Sequence, residues 1–473
     1  MLSLYCQTKI TPHMCKVNHF PVQNKEKTDK IHLPSIKKKQ IEADVSGMSL
    51  SSFGGIALLR NEESRLGLSR QIASCINDTR RDYLVRHPLH EILMTRIFQI
   101  CMGYEDVNDC DRTRKDPMMC LGVAGDIDSE LCSSATMCRF ENMVTEDDLL
   151  AIQELFLHLF IQSYEGKAPG HIILDCDDTN VDTYGGQQLT LFNSYYDSYC
   201  YMPLLIFEGH SGKMILPLLR PGRRNKTSNI ADTLVWVIEV LREAWPETVI
   251  MVRGDSHFCS HEFMDWASDP GHRRVLFITG LSANNRLLSE NVTKGLLTEA
   301  WHDYNLYGMP VRKYGHFYYK AGSWLFPQKV VVKAEITAKG EQNVRFIVSN
   351  IRSVDDCGLY ETTYCGRGKD ELYIRQFKEA VNGDRLSCHT FNANRLRIFI
   401  HAAAYILLHS IRERALRGTE LENANLLTIR ERLLLTAVCV RVSRRKVILD
   451  YPRHNPMRIV LRQALLFYGQ LRA

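Results

Sequence analysis

The sequence predicts an α/β protein: a mixed sheet, preceded by a helical N-terminal domain and interrupted by a β-rich insertion ahead of a late helix that carries acids. Three observations predict it. Apolar residues recur at helical spacing over 48–165. From 171 the period shortens to β-branched runs that alternate with helices, the pattern of a mixed sheet. Residues 282–365 are rich in aromatic and β-branched residues, which favour antiparallel strands.

In chain order, residues 1–47 form a basic arm with KEKTDK and KKKQ and no apolar patterning, and the sequence predicts disorder there. A helical domain is expected over 48–165. Its last helix opens at Thr145, an N-cap followed by acids in the first turn. Over 166–281 the order is a strand, HIILDCDDT; a hairpin, YMPLLIFEG and KMILPLLRPG; a helix at about 229–244; a strand, TVIMVRGDS; a helix near 261–267; and a strand, RVLFITGL. That order is consistent with the first part of an RNase H-like core. The β-rich insertion domain is placed at 282–363, the second part of the core with its acidic helix at 364–420, and a basic C-terminal region with one strand, VCVRVSRRKVILDY, at 421–473.

Composition limits the function. Hydrophobic residues make up 45% and charged residues 24%, ordinary values for a globular chain. No apolar run reaches the roughly 18–20 residues of a membrane span, and the first residues do not read as a secretory signal. A cytoplasmic protein with no membrane association is expected. The fifteen cysteines are scattered and form no CxxC pair, so reduced thiols are expected rather than a disulfide framework or a zinc ribbon. The net charge of +5 is uneven. Residues 1–40 hold eight lysines and two acids, residues 391–473 hold fifteen Lys or Arg and five acids, and the middle is left at −11. Basic flanks suit a polyanion such as nucleic acid, and equally a solvated surface.

Three clusters of acids carry the chemistry. The first, Asp175-Cys-Asp177-Asp178-Thr179, ends an apolar strand, where carboxylates are costly unless they face solvent or a metal. A strand end with an Asx-rich turn reads the same way. So does the first motif of haloacid-dehalogenase-type phosphatases, DxDxT, with Asp175 as nucleophile and Asp177 as acid. The second cluster is Arg253-Gly254-Asp255-Ser256, again at the end of an apolar strand, and two parallel strands would bring Asp255 near Asp177. No further Asp follows closely, which weakens the phosphatase reading. The third is YCGRGKDELYIRQFK, in which Tyr364, Arg367, Glu371 and Lys378 stand at the spacing Y-(2)-R-(3)-E-(6)-K. Steps of three or four place 364, 367, 371, 375 and 378 on one face of a helix.

That spacing resembles the signature around the catalytic Glu of a branch of DDE-type insertion-sequence transposases. The resemblance extends through SSFGGIALL (51–59), GYEDVNDCDRTRKDP (103–117) and the stretch from LDCDDTNVD onward, covering about residues 48–471. It implies an RNase H-like catalytic core and a two-metal mechanism on Mg²⁺ or Mn²⁺, with Asp177, Asp255 and Glu371 as metal ligands. Asp178 is eligible beside Asp177, which is favoured. The resemblance also implies DNA-backbone contacts from Tyr364, Arg367 and Lys378, and double-stranded DNA as partner, both terminal inverted repeats and target DNA. A homodimer on paired ends, a DNA-binding or dimerisation role for 48–165 and association with the bacterial nucleoid are implied as well. The basic patch Arg444, Arg445 and Lys446 adds candidate phosphate contacts. The competing expectations are a transposase-derived DNA-binding protein without catalysis and, third, the phosphatase.

Overall fold

Residues 31–36, 39–43, 48–222 and 230–470 are described in a computed structural model of the chain. The helical stretch expected over 48–165 forms α1 (Ile56–Leu66), α2 (Leu68–Ser74), α3 (Leu89–Cys101), α4 (Pro117–Ala124), α5 (Ser134–Glu141) and α6 (Glu146–Gln162). The start of α6 is fixed as the sequence predicts. The Thr145 hydroxyl accepts from the Asp148 N–H, and the Asp148 carboxylate accepts from the Thr145 N–H at 2.8 Å, so two otherwise orphaned donors are satisfied. Asp116 caps α4 in the same manner, accepting from Met118 N–H and Met119 N–H ahead of Pro117.

The sheet holds eight strands: β1 (His171–Asp178), β2 (Leu204–Glu208), β3 (Met214–Leu218), β4 (Val249–Gly254), β5 (Val275–Leu281), β6 (Val311–Tyr319), β7 (Gln328–Ile336) and β8 (Gln342–Ser349). Their spatial order is β6-β7-β8-β5-β4-β1-β2-β3. β4 runs parallel to both β1 and β5, while β2 is antiparallel to β1 and β3 to β2. The order 3-2-1-4-5 with an inverted β2 is the RNase H-like arrangement. β1 is central and covered on both faces, which is why Ile172 to Cys176 are all buried instead of alternating. Helices α7 (Ile230–Ala244) and α8 (His261–Ala267) flank β4 in sequence, and α9 (Asn291–Tyr307) precedes β6.

The segment 282–363 is β-rich as expected, but it is not a separate insertion domain. β8 pairs antiparallel with β5 from Ile278↔Ser349 to Leu281↔Phe346, so the β6-β7-β8 meander extends the main sheet. β5 would otherwise be an open edge with unpaired backbone groups.

After the sheet come α10 (Gly368–Val381), α11 (Phe391–Arg414) and α12 (Arg458–Gln470). α11 is buried on nearly every face. It packs on α1, α3 and α6 on one side and on α10 and β3 on the other, with Phe399 stacked on Phe156 at 5.3 Å. The helical layer and the sheet therefore share one apolar core. Leu50–Ala473 is a single unit, and the boundaries expected at 166, 282, 364 and 421 do not divide it. The C-terminal region also differs from expectation. Its one basic strand is a hairpin of Val438–Ser443 and Lys446–Asp450, because Arg444 and Arg445 occupy the turn, and Val438–Cys439 pairs with Leu50–Ser51.

Met1–Ser49 is a second unit. Part of the arm expected to be disordered is an antiparallel pair, Ile31–Ile36 with Lys39–Ala43, whose alternating Ile31, Leu33 and Ile41 provide β-propensity that its lysine content hides. Residues 1–30, 37–38 and 44–47 of the arm lie outside the described residues.

Candidate active site at the ends of two central strands

β1 and β4 run side by side in register, Asp175 opposite Arg253 and Cys176 opposite Gly254. Asp177 and Asp255 consequently emerge at the same end of the sheet, one residue past that register. Asp175, fully buried, accepts two hydrogen bonds from the Arg253 guanidinium, that from Nη2 at 2.6 Å, and Nη1 of the same group donates to Thr363 O at 2.7 Å. Burial raises the Asp175 pKa and Arg253 opposes that rise. A carboxylate fixed this way on a guanidinium is not available as a nucleophile, which counts against the phosphatase motif. The sequence motifs alone give Arg253 no role, although its place in the strand opposite the first acids is the signal that could find it.

Asp177 lies on the same side of β1 as Asp175, two residues on. Arg367 Nη1 donates to its Oδ2 at 2.8 Å. Burial is the main reason that its pKa is pushed up to about 6; Arg367 lowers it, and the negative charge of Asp255 raises it again. Asp178 points elsewhere and forms an ion pair with Arg220, which also donates to Met202 O. The ambiguity between the two acids therefore has a geometric side: Asp177 faces Asp255 and Arg367, and Asp178 faces the β2–β3 edge. Asp255, its side chain 31% exposed, opens a short helical turn by accepting from the His257 N–H at 2.7 Å. Gly280 on β5 makes room for this approach, since a Cβ there would stand 2.8 Å from Ser256 N and 2.9 Å from the Tyr364 hydroxyl. Burial raises the Tyr364 pKa, Arg367 lowers it and Asp255 raises it, so Tyr364 belongs to the same cluster.

The helix geometry around the third motif is less regular than its spacing suggests. Residues 358–364 form a π turn and Cys365–Arg367 a 3₁₀ turn, and the α-helix begins only at Gly368. Gly366 and Gly368 disfavour a regular helix there. From Gly368 onward the buried face of α10 carries Asp370, Tyr373, Phe377 and Ala380. Arg367 reaches Asp177 on one side of Glu371, and on the other Lys378 Nζ donates to Asn180 O at 2.8 Å. Glu371 between them is exposed. Among the described residues no three His, Cys, Asp or Glu side chains converge as a ready-made metal cage.

The acid of this helix that the protein buries is Asp370, adjacent to the motif's Glu. It has no exposed surface, and neither carboxylate oxygen has a hydrogen-bond partner. Burial, then the negative charges of Asp175 and Asp177, push its pKa well above the ordinary aspartate value, while Arg367 and Arg253 oppose the rise. The spacing 370, 373, 377, 380, which is the apolar face of α10, is the sequence signal for its position. The basic trio Arg444, Arg445 and Lys446 is exposed at the C-terminal hairpin turn, anchored through Val438 and Cys439 to Leu50–Ser51 and not to the sheet.

Two aspartates at the ends of adjacent parallel strands in this strand order, with arginines close by, define the class of RNase H-like enzymes that act on nucleic-acid strands. Residues 33–472 match the family described as transposase DDE domain group 1, and the chain belongs to that family. It is thus a DDE transposase, an enzyme that cleaves DNA and transfers strands, and its family uses divalent metal ions. A solved structure to which it is similar is the piggyBac transposase synaptic complex with hairpin DNA, at 11% identity over 83% of each chain and a TM-score of 0.40. No curated protein matches. No helix among the described residues is long and apolar enough to cross a membrane.

Proposed function

We propose that this transposase moves an insertion sequence by a cut-and-paste route: it binds the terminal inverted repeats of its element, cleaves at their ends and joins the 3′ ends to target DNA as a homodimer. The observation that carries the reading is the placement of Asp177 and Asp255 at one sheet end, with Arg367 held between them. The donor set fits hard divalent cations, since carboxylate oxygens are the ligands that Mg²⁺ or Mn²⁺ prefers. Asp177, Asp255 and Glu371 are the residues that would hold two such ions, with Asp178 kept by Arg220. The bound ions would activate the attacking oxygen and stabilise the leaving one.

The chain's own residues do the rest. Arg367 neutralises Asp177 before DNA arrives, and its guanidinium is placed to pass to a scissile phosphate, which it can hold by two parallel hydrogen bonds. Lys378 braces the strand exit at Asn180 and would contact the backbone beside it, and Tyr364 packs against the Asp255 turn. Arg444, Arg445 and Lys446 would add phosphate contacts without sequence selection. The test is incubation of a labelled duplex carrying the element's own terminus with Mg²⁺. Cleavage at the junction with flanking DNA supports the reading. Specific binding without cleavage would favour a DNA-binding protein that has lost catalysis.

A further inference from the structure

Between β1 and β2 the chain leaves the sheet as a small three-stranded unit: Val181–Asp182, Leu191–Asn193 and Ser198–Tyr201. It begins three residues after Asp178, and its first residues are tied to α10 where Lys378 Nζ meets Asn180 O. Its base is fixed to the body. Gln187 Nε2 donates to Leu386 O at 2.7 Å, Gln188 N to His389 O at 2.9 Å, and the Tyr201 hydroxyl to Gln188 O at 2.7 Å.

On this base the unit presents aromatic rings to solvent. Tyr184 and Tyr195 are each 86% exposed, Tyr199 59% and Phe192 48%. Phe192 and Tyr199 are cross-strand partners on one face, 5.5 Å apart, and Tyr195 stands against Tyr196 at 4.8 Å. Tyr196 in turn lies close enough to Asp177 and Asp178 to feel their charge. A cluster of exposed rings of this kind is not explained by folding, because burying them against the body would have been favourable.

We propose that this aromatic hairpin is a stacking platform for unpaired nucleobases of the DNA strand beside the cleaved phosphate. The inference rests on the reading of the chain as an enzyme that acts on DNA ends. From Thr179 to Tyr201 there is no Lys or Arg, and there are two acids, Asp182 and Asp197. The segment itself therefore brings no cation to phosphates and offers bases a set of rigid π faces, on which any base can stack whatever its sequence. Its continuity with the acid cluster places a base swung out of the duplex near the bond to be cut, where the duplex must open for the strand to reach two aspartates. The groups proposed above to meet phosphates stand outside this segment, Arg367 in the turn before α10 and Lys378 on α10.

The test measures binding in EDTA, so that cleavage plays no part. The probes are a mixed-sequence duplex with blunt ends, the same duplex with a three-nucleotide single-stranded extension, and that extension made abasic. The wild type is expected to bind the extended duplex about tenfold more tightly than the blunt one, as stacking of one to two bases implies. The abasic extension should give no gain, and the ratio should hold steady as salt rises. Tyr184→Ala, Tyr195→Ala and Tyr199→Ala combined should abolish the preference while blunt-duplex affinity and thermal melting stay as in the wild type. The corresponding three Tyr→Phe changes should keep it. Equal binding of all three probes by the wild type, or a preference that survives in the Ala variant, overturns the platform and leaves the assigned catalysis standing. A shift from dimer to monomer in the Ala variant with its preference intact would also overturn it, marking the face as a contact between two copies of the chain. Absence of binding to any probe would overturn the DNA-end reading itself.

Discussion

Asp177→Asn should make the metal-free protein more stable, by an amount that grows as pH rises above 3.8 and is full above about 6. In the folded chain its pKa is about 6, against 3.8 for a free aspartate. At about 1.4 kcal/mol for each tenfold in proton affinity, this is a penalty of about 3 kcal/mol on the ionised form. The side chain is 16% exposed, so solvent screens little of it. Below pH 3.8 both folded and unfolded chains hold the proton and the penalty is absent. It grows as pH rises through the window from 3.8 to about 6, because the folded chain then binds more protons than the unfolded one, and it is complete above that. Asparagine keeps the shape and removes the charge. Thermal melts in EDTA should show the variant a few degrees more stable at pH 8 and equal to the wild type near the acid end of that window. Added Mg²⁺ should stabilise the wild type by about 2.7 kcal/mol at roughly one hundred times its dissociation constant and leave the variant nearly unchanged. A variant that melts lower than the wild type at pH 8, or by the same difference at both pH values, would mean that the ionised Asp177 carries no such penalty.

Arg253→Ala leaves the fully buried Asp175 carboxylate without its partner and should cost about 3–5 kcal/mol, measured by denaturant unfolding; the double change with Asp175→Leu should recover part of the loss. Arg367→Ala removes the cation that holds the Asp177 pKa down. Mn²⁺ binding followed across pH should fall as pH drops through about 6 in the wild type and at a higher pH in the variant. Replacing Arg444, Arg445 and Lys446 by Ala should flatten the slope of log affinity against log salt by about 0.9 for each phosphate that the turn no longer neutralises. An unchanged slope would place that turn away from DNA.

Much of the site is legible because local chemistry writes it. An apolar strand that ends in acids reads as β1 wherever its neighbours lie, and the Y-(2)-R-(3)-E-(6)-K spacing locates α10. Thr145 announces its helix through a capping box that depends on four consecutive residues alone. What escapes depends on partners distant in sequence. The run KVVVKAEITA shows that a strand exists at β7 but not that its meander closes the open side of β5, so three strands of one sheet read as a separate domain. The all-round apolarity of α11 points to a buried helix but not to two layers meeting on it. Arg444 and Arg445 read as part of a strand because charge says little about a turn. Asp370 shares a helix turn with Glu371, and only packing distinguishes the buried acid from the exposed one.

The identity of the third acid is therefore the decisive point. Mg²⁺-dependent cleavage of a labelled element end should be compared between the wild type, Asp255→Ala, Glu371→Ala and Asp370→Asn, with DNA binding measured alongside. Asp255→Ala and Glu371→Ala should each lose cleavage by roughly a thousandfold, the several kcal/mol that a metal ligand contributes, while binding persists. Asp370→Asn should still cleave, because Asp370 is fully buried where burial disfavours its charged form, and the amide keeps its shape. Cleavage retained in Glu371→Ala and lost in Asp370→Asn would overturn the triad as drawn and assign the third metal-ligand position to Asp370.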